Sequence, residues 1–171
     1  VAIGETAPDF CLKSDKGQQW RLSENLGNVI ALLFYPRDET LVCTKQLCSV
    51  RDHWTGYLET KATVIGVSPG TAEDHRAFSK KHRLPITLLA DTDRNVTETY
   101  GFHWLFPTLF MRSIVIIDAK GIIRSRRVML RAFRPTDRSV IAAIYRARTD
   151  LFDEKYTKLT EKIKNLPRVG D

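Results

Sequence analysis

The stretch from Phe34 to Asp52 reads FYPRDETLVCTKQLCSVRD and places Cys43 and Cys48, two of the chain's three cysteines, five residues apart. A thiolate can be a nucleophile, a metal ligand or half of a disulfide. This spacing is wrong for a zinc knuckle. On an ideal helix, positions i and i+5 lie about 140° apart around the axis and about 7.5 Å along it, so their Cα atoms stand roughly 8.6 Å apart. A disulfide needs less than about 7 Å. The pair therefore cannot bond while a helix there holds. His53, His75, His82 and His103 show no paired ligand spacing with the cysteines, and no Gly-rich loop cradles phosphate, so neither metal nor cofactor is expected. A thioredoxin-type C-x-x-C is absent. Nucleophilic or redox chemistry remains, or an inert buried thiol.

The elements that position these residues can be read from periodicity. DFCLKSDKGQQWRLSENLGN suggests a hairpin, with strands at Phe10 to Lys13 and near Gln19 to Leu22. NVIALLFY is a continuous apolar run bounded by Gly27 and Pro36, suited to a strand buried on both faces. Leu47, Val50, Trp54 and Leu58 recur at three and four, which predicts one amphipathic helix over Cys43 to Leu58. ATVIGVS reads as a buried strand, Thr71 to His82 as a helix with acids in its first turn, Ile86 to Leu89 as a strand and Arg94 to Tyr100 as a helix ended by Gly101. SIVIID and GIIRSRRVM are two strands joined through AKG. One or two helices follow over Pro135 to Leu166, with Val140, Ile141, Ile144 and Tyr145 expected to pack on the sheet. Leu151, Phe152, Leu159 and Ile163 continue a rough helical spacing. Strands alternating with helices indicate an α/β domain with a mixed central sheet.

In such a sheet, chemistry gathers past the carboxyl end of a central strand, where the next helix begins. Cys43 occupies that place. Free amides and the positive end of the helix dipole favour a thiolate there. The Thr40 hydroxyl, three residues earlier, can donate to the sulfur or to a bound substrate oxygen, and Pro36 and Thr40 would shape a tight, partly dry pocket. Position alone leaves the inert reading of Cys43 open, since free cysteine is often simply buried. Cys11, on the first strand, reads as a small buried hydrophobe.

PRDETLVC followed by TKQLCSVRD resembles the active-site signature of the peroxiredoxins, the AhpC/TSA family, written Pro-x-x-x-Thr-x-x-Cys. The second cysteine and the closing RD are similar to the subgroup called peroxiredoxin Q or bacterioferritin comigratory protein. GETAPDF, HRAFSKKHRLPITLLAD and RSIVIIDAKGII extend the likeness over roughly Gly4 to Pro135. The resemblance implies a thioredoxin-like fold over residues 1–148, with an N-terminal β-hairpin and residues 149–171 as a C-terminal helical extension of the same domain. It implies that Cys43 is the peroxidatic cysteine, that Thr40 holds sulfur and peroxide, that Pro36 shields the pocket and that Arg112 stabilises the thiolate and polarises the peroxide. Cys48 would then resolve a Cys43 sulfenic acid once the first turns of the helix unwind. The implied partners are hydrogen peroxide or an organic hydroperoxide and thioredoxin or a similar dithiol. Leu41-Val42 stands where Pro-Gly is common in the subgroup, and the chain beyond about Arg148 outruns the resemblance.

With 171 residues, 43% of them hydrophobic, the chain is sized for one compact domain. The longest apolar run, VIALLF, is far short of the roughly 20 residues that span a bilayer. Three cysteines are too few for a disulfide scaffold and point to a reducing, cytoplasmic setting, or to an organelle if a targeting segment preceded Val1. A monomer or weak homodimer is expected. Lys120 to Arg138 carries seven basic residues and one acid within a net charge of +7. A basic nucleic-acid- or protein-docking module is therefore the alternative reading, although a solvated basic strand is the commoner meaning of such a stripe. The apolar connector FHWLFPTLF is either core or the mouth of a pocket suited to organic hydroperoxides.

Overall fold

The hairpin forms as β1 (Cys11–Ser14) and β2 (Gln19–Arg21), followed by a 3-10 turn at Ser23–Asn25. The structure, a computed structural model, describes residues 1–100, 112–129 and 134–164, with side chains of the final helix only to Thr149 and at 157, 158 and 161. The connector FHWLFPTLF and Leu151, Phe152, Leu159 and Ile163 fall outside those residues or side chains. The elements after the hairpin are β3 (Ile30–Phe34), α1 (Leu41–Asp52), α2 (Trp54–Glu59), β4 (Thr63–Ser68), α3 (Ala72–His82), β5 (Thr87–Ala90) and α4 (Asn95–Thr99). After these come β6 (Arg112–Ile117), β7 (Ile123–Met129) and α5 (Asp137–Lys164).

The strands make one seven-stranded mixed sheet in the order β2-β1-β5-β4-β3-β6-β7. β3 pairs in parallel with β4 and antiparallel with β6, which puts it inside the sheet with every residue buried. Successive side chains of a strand point to opposite faces. Ala31 and Leu33 accordingly join one core with Cys43, Leu47 and Val50 of α1 and Val140, Ala143, Ile144 and Ala147 of α5. Ile30, Leu32 and Phe34 join a second core on the other face, with Phe10, Leu22, Val96 and Tyr100. Gly66 of β4 lies under the first of these cores: a Cβ there would stand 2.7 Å from a Leu88 methyl and 3.2 Å from the Tyr35 ring, both members of it. Among the described residues no helix is long and apolar enough to cross a membrane.

Three expectations are corrected in detail. The single helix predicted over Cys43 to Leu58 is broken at His53, whose φ of −106° and ψ of 21° leave the helical well. Cys11 is exposed, not buried: it shares the outward face of β1 with Lys13, while Leu12 between them packs on the core. Tyr145 is exposed, because the face of α5 that meets the sheet runs through Val140, Ala143, Ile144 and Ala147. Of the one or two helices expected over Pro135 to Leu166, the structure has one, α5, unbroken over 28 residues.

Candidate active site

β3 ends at Phe34, and the chain passes through Tyr35 and Pro36 into a tight loop before α1. Glu39 in that loop is a non-glycine residue at φ 61°, a left-handed conformation that persists only where neighbours hold it. Two side chains of the loop are tied to α3. Asp38 accepts from Tyr35 OH at 2.7 Å and lies 2.5 Å from His75 Nδ1, and Glu39 accepts from Lys81 Nζ at 3.0 Å. His75 Nε2 lies 3.2 Å from the Ser68 carbonyl oxygen. Both ring nitrogens of the fully buried His75 thus face acceptors, an arrangement that suits the imidazolium. Burial opposes that charge, but the Asp38 hydrogen bond and carboxylate and the Ser68 carbonyl outweigh it, raising the His75 pKa above its ordinary value. Burial, then the Asp38 charge and hydrogen bond, push the Tyr35 phenol well up, so it stays a neutral donor.

Thr40 caps α1: its Oγ accepts from the Cys43 amide at 3.4 Å and donates to the Arg37 carbonyl at 3.3 Å. The hydroxyl therefore serves the loop and the helix end, not the sulfur, in this resting arrangement. Cys43 sits in the first turn of α1 and is buried. Arg112, the first residue of β6, is also fully buried, and its Nη2 donates to Cys43 Sγ at 3.1 Å. Its Nη1 donates to Gln46 Oε1. Gln46 is buried one turn beyond Cys43, and its Nε2 has no hydrogen-bond partner among the described residues. A guanidinium fixed beside the sulfur stabilises negative charge on it.

The sulfur opens onto a cavity of about 580 Å³ lined by Pro36, Arg37, Thr40, Leu41, Val42, Cys43, Pro69, Gly70, Arg94 and Arg112. Of the residues singled out from the sequence, Pro36, Thr40, Cys43 and Arg112 meet there. Cys48 does not line the cavity. It is half-buried further along the intact helix and free, as is Cys43. Gln46, the Asp38–His75 pair and the cavity residues Arg37 and Arg94 went unnoticed in the sequence. Gln46 carried a signal, being three residues from Cys43 and so on the same helical face. The basic stretch is partly engaged: Arg124 Nε donates to Asp118 at 2.7 Å and Arg126 to the Tyr100 carbonyl at 3.5 Å. No group of residues able to hold a metal ion occurs among those described.

Residues 3–126 match the model of the AhpC/TSA family. The chain is 42% identical over 125 residues to peroxiredoxin Q, chloroplastic, of Triticum aestivum, covering 72% of this chain and 58% of that protein. It thus spans under two thirds of that relative's length. It is 39% identical to peroxiredoxin Bcp of Bacillus subtilis, over 71% of this chain and 81% of that one. Among solved structures, peroxidoxin BcpB of Mycobacterium tuberculosis superposes with a TM-score of 0.73 at 27% identity, over 84% of this chain and 96% of that one. A reduced 2-Cys peroxiredoxin of Plasmodium vivax shares the fold with a TM-score of 0.79 at 22% identity, over 92% of this chain and 86% of that one.

Proposed function

The chain belongs to the AhpC/TSA family, in its peroxiredoxin Q/Bcp group, and from that premise we propose that it is a thiol peroxidase acting through Cys43 and Cys48. The observation that carries the reading is the Arg112 guanidinium 3.1 Å from Cys43 Sγ, at the first turn of a helix and beside a cavity. The Cys43 thiolate attacks one oxygen of a hydroperoxide. A sulfur–oxygen bond forms, the oxygen–oxygen bond breaks, and the departing alkoxide or hydroxide takes a proton and leaves as alcohol or water. Arg112 lies where charge develops on the reacting oxygens, and a preorganised donor in a dry site lowers that barrier. Pro36 and the Thr40 turn shield the sulfur from bulk water.

Cys43 is then a sulfenic acid. The Cys48 thiol attacks its sulfur, the disulfide forms, the sulfur–oxygen bond breaks, and hydroxide leaves as water with the Cys48 proton. Both cysteines belong to intact α1, so this step requires the helix to open. Thioredoxin or a similar dithiol returns two electrons and two protons by exchange. Steady-state consumption of hydrogen peroxide and an organic hydroperoxide with thioredoxin tests the reading. Cys43→Ser should abolish turnover, and Cys48→Ser should spare one equivalent of peroxide reduction while stopping the cycle. Undiminished turnover in Cys43→Ser ends the proposal.

A further inference from the structure

Asp137, the first residue of α5, lies against the far half of α1, with its carboxylate only 11% exposed. Three side chains from either side of the helix break converge on it. Ser49 Oγ donates to Oδ2, Tyr57 OH donates to Oδ1 at 2.6 Å, and His53 Nδ1 lies 3.2 Å from Oδ2 and 2.9 Å from the Ser49 carbonyl. On an unbroken helix residues 49 and 57 would stand about 12 Å apart along the axis, beyond the reach of one carboxylate. The break at His53 is what lets them share it.

The ties on the two halves of α1 differ in kind. Those upstream, from Arg112 to Cys43 and to Gln46, include the sulfur itself, so oxidation of Cys43 to a neutral sulfenic acid removes the charge that Arg112 faces. Those downstream, to Asp137, do not involve the sulfur. The change in kind falls between Gln46 and Ser49, the interval that contains Cys48. On the other side of Cys43, Asp38 and Glu39 are held to α3 by His75 and Lys81. We infer that Asp137 is a positioning residue that stops the opening of α1 at Cys48, so that the resolving thiol stays in place and Cys43 does the travelling. This rests on the reading above, in which Cys48 attacks the Cys43 sulfenic acid with loss of water.

Amide hydrogen exchange read by mass spectrometry over residues 41–59, in the reduced protein and after one equivalent of hydrogen peroxide, tests it. That stretch contains no proline. In the oxidised wild type the amides of 41–48 should lose protection and those of 49–59 should keep it. In oxidised Asp137→Ala, exchange over 49–59 should rise about tenfold, the worth of a lost charge-assisted hydrogen bond. Disulfide formation should slow, and the single-turnover reaction of Cys43 with peroxide should be unchanged. The reduced variant should differ much less from reduced wild type, which separates positioning from a general structural role. Tyr57→Phe, which removes one donor and keeps the ring, should shift the oxidised pattern in the same direction by less. Free exchange over 49–59 in the oxidised wild type overturns the inference, as do equal effects on both redox states or none in either variant. If mass spectrometry finds no Cys43–Cys48 bond, the underlying reading falls and this falls with it. If the bond is present but the opening spreads, this inference alone fails.

Discussion

Among the described residues Arg112 is the largest side chain fully withdrawn from solvent, and a buried guanidinium is costly unless its charge is used. Its two named partners, Cys43 Sγ and Gln46 Oε1, belong to the helix that holds the candidate nucleophile. The planar fork is what permits both contacts at once, and a lysine offers a single point charge with different reach. Arg112→Lys should therefore lower the second-order rate constant of Cys43 with hydrogen peroxide by about 100-fold, in line with the loss of one preorganised donor. Stopped-flow single-turnover measurement reads this directly. A loss below about threefold would mean that charge alone, without the fork, meets the demand. At this scale the sequence was most informative where chemistry is written locally. Pro36, Thr40 and Cys43 lie within eight consecutive residues. Asp38 and His75, separated by 37 positions, left no local trace.

The loop before α1 owes its shape to α3 as much as to its own residues. The buried His75–Asp38 contact ties the two elements, and His75 has a pKa above its ordinary value because Asp38 and the Ser68 carbonyl overcome the effect of burial. A folded-state value above the unfolded one means that the folded protein holds the proton more tightly. The stabilisation is complete below the ordinary imidazole pKa and fades as pH rises through the raised value. Denaturant unfolding of the reduced protein should show stability falling as pH rises from the ordinary imidazole pKa through the raised one, and His75→Gln should flatten this part of the profile. An unchanged slope in the variant would show that another group titrates. The elements themselves were largely legible, because doubly buried strands and amphipathic helices announce themselves by period. The break at His53 was not, since Leu47, Val50, Trp54 and Leu58 keep their spacing straight through it. Its partner, Asp137, arrives from 84 residues further on. Cys11 and Tyr145 were misread for a related reason: each residue type suits a core, but the pleat of β1 and the packed face of α5 turn them outward.

At the scale of the molecule, the two faces of the sheet hold separate cores. α1 belongs to one, with Leu47 wholly buried there, and Phe34 belongs to the other. Leu47→Ala should destabilise the reduced protein by about 2–5 kcal/mol, and the disulfide form by much less, because that helix has already opened there. Phe34→Ala should cost about 3–5 kcal/mol in both forms. Chemical denaturation of each variant in each redox state distinguishes them, and equal losses for Leu47→Ala in both states would count against helix opening. The division also bears on endurance. On the proposed cycle the molecule dismantles part of itself at every turnover, and it needs a template to rebuild on that survives the dismantling. Among the described residues, the face built from Phe10, Phe34 and Tyr100, with the Tyr100 ring 5.8 Å from that of Phe10 and 5.5 Å from that of Phe34, shares no buried core residue with the side proposed to open. It can keep the sheet as a mould, so that each reduction needs only to recast one helix and not to refold the chain.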